Sequence, residues 1–116
     1  MTEQLNFRVK GKDYPIETPT VGKYVAIEAT YQLLGKGYYN SLLESPMQSA
    51  ENAVDMIHIE ARVSILCPAL LKDMKVSINE LGTADFMELK KAYDEQFRPW
   101  WNEFLTSVNP KKEIVE

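Results

Sequence analysis

A chain of 116 residues with 45% apolar side chains has the length of one domain and enough apolar material for a real core. Its 13 Lys and Arg against 17 Asp and Glu leave a net charge of −4, which speaks against broad binding to nucleic acid or an anionic membrane, because phosphate neutralisation needs clustered cations. The negative excess lies late in the chain: residues 1–44 carry five basic and five acidic side chains, residues 45–116 eight basic and twelve acidic.

From Gln4 to Val9 the apolar Leu5, Phe7 and Val9 alternate with Asn6 and Arg8, the period of a half-buried strand. Lys10-Gly11-Lys12-Asp13 supplies a turn, and Tyr14 to Glu17 returns as a second strand that Pro15 confines to an edge. A hairpin over 4–17 is predicted. Thr20 then caps a helix whose apolar positions Val21, Tyr24, Val25, Ile27, Tyr31 and Leu34 run to a stop at Gly35. Tyr38 to Glu44 reads as a short helix or turn that buries Tyr38, Leu42 and Leu43.

Ser45-Pro46-Met47-Gln48 has the pattern of a capping box with proline at the first helical position. The long helix that follows carries one stripe of Ala50, Ala53, Val54, Ile57, Ala61 and Ile65, widened by Met56, Ile59, Val63 and Leu66, so it is predicted to be central. Its narrow polar face is Glu51, Asp55, His58 and Arg62. Pro68 breaks or restarts the helix after Cys67, Ala69 to Met74 adds a turn, and Thr83 caps the next helix.

Phe86, Leu89, Tyr93 and Phe97 line that last helix until Pro99, which should kink or restart it and send Trp100, Trp101, Phe104, Leu105 and Val108 along a different surface. Neighbours on a helix point about 100° apart, so one indole of the Trp pair is expected in the core and the other is free for a partner. Asn109-Pro110 ends the helix. Residues 1–108 thus form a single, mainly α domain, a compact helical unit with a short N-terminal β-hairpin, and 109–116 a flexible tail.

Candidate chemistry is sparse. Glu51, Asp55 and His58 on one helix face are half of a metal site whose other half the composition does not supply, so no metal and no cofactor are expected. Cys67 and His58 lie nine residues apart, about 13 Å along a helix, too far for a nucleophilic dyad. No glycine pattern makes a phosphate loop, and no catalytic residue is assigned. As the only cysteine, Cys67 points to a reducing compartment. Met1 to Lys10 lacks the apolar run of a signal peptide, and no window reaches the length of a membrane span, so a soluble cytoplasmic protein is expected. Ser77 to Gly82 before a helix has the form of a helix-turn-helix turn, which makes a small DNA-binding transcriptional regulator the alternative function. Asp85 and Glu88 stand where that helix would meet phosphate and argue against it.

The hairpin Phe7-Arg8-Val9-Lys10-Gly11-Lys12-Asp13-Tyr14-Pro15-Ile16, followed by a set of helices in a small acidic chain, resembles the tail assembly chaperones of long-tailed bacteriophages. The resemblance spans nearly the whole chain. It implies a non-catalytic protein that binds the tape-measure protein before the tail tube polymerises, works in the host cytoplasm and is absent from the mature virion. On this reading Phe97, Trp100, Trp101 and Phe104 grip the client, and self-association on the client stays open. Many members of the family are also made in a longer, frameshifted form. Pro110-Lys111-Lys112 can be encoded as a slippery run, which implies an extension able to reach the tail tube protein.

Overall fold

The computed structural model describes residues 6–75 and 77–108. The expected tail over 109–116, the Pro110-Lys111-Lys112 run and the first residues of the expected hairpin lie outside them. The chain is mainly helical, with a two-stranded antiparallel hairpin at its start.

Strands β1 (Asn6–Val9) and β2 (Lys12–Pro15) pair from Asn6 with Pro15 to Val9 with Lys12. The turn between them is Lys10-Gly11, both at positive φ, as a two-residue hairpin matched to the twist of its strands requires. Phe7 and Val9 point into the core, and Ile16 follows them there. The strand end is fastened to the middle of the molecule: Glu17 N–H donates to the Leu66 carbonyl at 2.7 Å, and the Cys67 thiol donates to the Pro15 carbonyl at 3.4 Å.

Helix α1 (Val21–Leu34) starts where Thr20 Oγ1 accepts from Lys23 N–H. It ends at Gly35, for a reason of space rather than handedness. Gly35 has an ordinary φ of −76, but a Cβ there would lie 2.8 Å from Cβ of Tyr39. Helix α2 (Tyr39–Glu44) therefore folds back tightly, and Tyr39 stacks on Tyr31 with ring centroids 5.3 Å apart. The expected phase of this piece is off by one: Tyr39 is buried, Leu42 is half-buried, and Tyr38 and Leu43 are exposed.

Helix α3 (Gln48–Leu66) packs against α1, α2 and α4 and is the centre of the fold. The predicted capping box at Ser45–Gln48 does not form. The N-cap is Met47, and Ser45 Oγ instead accepts from Met47 N–H in the preceding turn. Helix α4 (Pro68–Met74) begins on Pro68 and closes on Lys75 in the left-handed region. A capping box does occur at Ser77 and Glu80, around the 3-10 turn Ile78–Glu80. Helix α5 (Thr83–Ala92) has Gly82 rather than Thr83 as its N-cap, one residue earlier than expected.

Instead of a kink at Pro99, a π-helical turn (Tyr93–Phe97) joins α5 to α6 (Arg98–Val108). Its cause is visible in the burial pattern. Leu89, Tyr93, Phe97 and Trp101 are all buried at a spacing of four, which advances about 40° per step around an α-helix. A π turn takes in roughly one residue more than an α turn and restores the alignment. It also precedes the one position, Pro99, that has no N–H to offer an α-helical partner.

Candidate functional site

The four aromatic side chains predicted to grip a partner do come together on the π turn and α6, but at different depths. Phe97 is fully buried, edge-on to Phe7 at 5.6 Å and stacked on Tyr93 at 5.1 Å. Trp101 is 1% exposed, between Tyr24 and Phe104. Both are core residues. Trp100 and Phe104, one turn apart, are half-buried. Trp100 stands edge-on to Phe97 at 5.4 Å, and Phe104 meets Tyr24 at 6.1 Å. Each is packed against the core and partly open to solvent.

Beneath Trp101 lies a group whose depth the sequence did not reveal. Arg62, expected on a polar face, is 7% exposed. Its Nε donates to the Tyr31 hydroxyl and one terminal nitrogen donates to the Tyr93 hydroxyl, each at 2.8 Å. Its guanidinium carbon lies 5.4 Å from the Trp101 ring centre and 5.7 Å from that of Tyr31. The π faces and hydroxyls replace the carboxylate that usually accompanies a buried cation. Burial pushes the Tyr31 hydroxyl up to about 12, against the lowering effect of Arg62.

His58, one turn before Arg62, shares a 2.7 Å hydrogen bond with the Tyr39 hydroxyl. Burial, with the Arg62 charge beside it, pulls its pKa down to about 4, so it is neutral at physiological pH. Farther out, Arg98 bonds both Asp55, at 3.2 Å, and Asp94, and Lys90 bonds Asp94 at 2.8 Å. This network braces α3 against the π turn that sets the Trp pair. The expected polar face of α3 thus sinks along its length, from exposed Glu51 through half-buried Asp55 and His58 to buried Arg62.

Among the described residues no three His, Cys, Asp or Glu side chains gather at one point. Burial pushes the Cys67 thiol up to about 11, which leaves it a poor nucleophile. Asp85 and Glu88 on α5 are approached by Lys10 of the hairpin turn at 3.0 and 3.8 Å. No helix among the described residues is long and apolar enough to cross a membrane.

Sequence reasoning also missed apolar surface. Val21 and Val25, read as core positions of α1, are 82% and 60% exposed, and Leu33 is 76% exposed. Met56 and Met87 stand exposed over a cleft of about 540 Å³ between α3 and α5, floored by Ile57, Leu81 and Phe86. The surplus of apolar residues around α1, more than one face can bury, was the available signal. No protein-family model, curated protein or solved structure matches the chain.

Proposed function

We propose that the protein is a non-catalytic tail assembly chaperone of a long-tailed bacteriophage, which binds the tape-measure protein and keeps it soluble until the tail tube polymerises around it. The observation that carries the reading is the Trp100–Phe104 pair: two large aromatic side chains one turn apart, half open and held against the core by Phe97 and Tyr24. Such anchors suit an amphipathic helical client, whose apolar stripe must be covered before assembly. The net charge of −4 keeps the complex dispersed.

The test is co-expression with the long helical protein encoded beside it. The wild-type chain keeps that client in the soluble fraction, and Trp100→Ala with Phe104→Ala loses it while the purified variant keeps its helical circular dichroism. A client that stays insoluble with the wild-type chain removes the proposal. The frameshifted extension toward the tail tube protein belongs to the same proposal and is tested by the gene: lysine codons without a slippery run, and no overlapping frame downstream, eliminate it. Action in the host cytoplasm further requires that mass spectrometry of purified virions detect no copy of the chain.

A further inference from the structure

Arg62 is a cation enclosed by groups that carry no charge. It is buried, and no Asp or Glu among the described residues pairs with it. Its hydrogen bonds go to the hydroxyls of Tyr31 and Tyr93. Burial raises the pKa of both phenols, that of Tyr31 to about 12, so each stays neutral and neither serves as a counter-ion. His58, one turn away, is kept neutral by burial as well. The carboxylates in the neighbourhood are engaged elsewhere or stand in solvent: Asp55 and Asp94 hold Arg98 and Lys90, and Glu28 is exposed. A buried charge with no opposite charge beside it is costly, and the π faces of Trp101 and Tyr31 offset only part of that cost.

The same cluster is short of acceptors. Having accepted from Arg62, the two hydroxyls each keep a proton to donate, and no described residue takes it. The second terminal nitrogen of Arg62 makes no hydrogen bond among the described residues. The indole N–H of Trp101, on the ring that covers the guanidinium, also has no acceptor among them. Side chains from α1, α3, the π turn and α6 thus surround one fixed positive charge with donors. We propose that this cluster is a binding site for one small monovalent anion of the chloride class, held by Arg62 and the hydroxyls of Tyr31 and Tyr93.

Size and charge select this ligand. Among the described residues Trp101 Nε1 is the one unpaired side-chain atom that is wholly enclosed, so the leftover Arg62 nitrogen, equally unpaired, keeps a narrow opening to solvent. With Arg62, Tyr31, Tyr93 and Trp101 all buried, that opening admits an ion close to water in size, not a phosphate or a partner's side chain. Water itself would bring two more donors to a cluster that lacks acceptors, and would leave the charge uncompensated. An anion there bridges α1, α3 and the π turn beneath the Trp100–Phe104 pair. The site goes beyond the chaperone reading and does not rest on it.

Chloride magnetic resonance of the full chain is the direct measurement, because the line broadens when the ion exchanges with a fixed site. The wild-type chain is expected to broaden it, and excess bromide to reverse the effect. Melting followed by circular dichroism, in sodium chloride against sodium gluconate at equal ionic strength, is expected to show a midpoint that rises with chloride, by roughly 5–10 °C at about ten times the dissociation constant. Arg62→Met, which keeps the bulk and removes the charge, loses both effects. Tyr93→Phe, which removes one hydroxyl and keeps the ring, weakens binding at least about tenfold and carries the test should Arg62→Met fail to fold. Lys36→Gln, at an exposed cation on another part of the surface, changes neither readout. A line that the wild-type chain leaves sharp, midpoints that coincide in chloride and gluconate, or broadening that survives both Arg62→Met and Tyr93→Phe overturns the proposal.

Discussion

Replacing each tryptophan separately tests the depth assigned to the pair. Trp101→Ala empties a fully buried site, at about 3–5 kcal/mol for a large aromatic side chain. It also removes one of the two rings facing the Arg62 guanidinium, about 1–2 kcal/mol more when desolvated. Against a total stability of about 5–15 kcal/mol, a loss near 5 lowers the thermal midpoint by roughly 20 °C or more. Trp100→Ala, from a half-buried site, costs about 1–2 kcal/mol. Trp101→Phe separates ring from donor. The indole N–H of Trp101 is buried with no acceptor among the described residues, a penalty of about 1–3 kcal/mol that phenylalanine lifts while giving up part of the apolar area. The two effects offset one another, and Trp101→Phe is expected within about 1 kcal/mol of wild type. Urea unfolding followed by far-ultraviolet circular dichroism, which needs no tryptophan, reads all three variants. Equal losses for Trp100→Ala and Trp101→Ala, or a loss above about 3 kcal/mol for Trp101→Phe, would refute the reasoning.

Two further outcomes follow from the same packing. His58 has a pKa near 4 when folded and an ordinary value of 6.5 when free, so the unfolded chain binds more protons between these limits. Stability is therefore full above pH 6.5 and declines as pH falls toward 4. In that comparison Asp55 favours the charged ring, whereas Arg62 and Arg98 oppose it. His58→Gln should flatten the fall over this window in pH-dependent urea midpoints, and an unchanged slope would show that His58 is not its source. Lys75 closes α4 at φ 66, where a side chain costs about 1 kcal/mol, so Lys75→Gly should raise the melting temperature, and a drop would contradict this assignment.

Elements with local causes were readable in the sequence. Alternation through Phe7 and Val9, the Lys10-Gly11 turn, the Thr20 cap, the Gly35 stop and the Pro68 start all appear where the residues place them. Failures came where a residue's fate depends on distant partners. Ser45 offers the right hydroxyl for a cap, yet the chain turns two residues later, so Met47 takes the position. Tyr38 and Tyr39 are equivalent to any local count, and the close approach of Gly35 to Tyr39 selects the second. Arg62 sits at a polar position of α3 and is drawn inward by hydroxyls from α1 and the π turn, each 31 residues away. The candidate site was legible in composition but not in depth. Its aromatic residues were found, and the assignment of Trp101 rather than Trp100 to the interior required a turn that a 3.6-residue period does not contain.

The π turn also bears on how kin of this chain can be found. Because it threads an extra residue between Leu89 and Trp101, a chain lacking that one residue can run through as an unbroken α-helix with its aromatic rings on the same side, whereas one residue more would swing the C-terminal rod by about a quarter-circle. Side chains in this stretch can be exchanged for others of similar bulk, and the count between them can shorten by one but not lengthen. Distant cousins should therefore be recognisable by an interval in this region that is the same or one residue shorter, even where letter-by-letter likeness has faded.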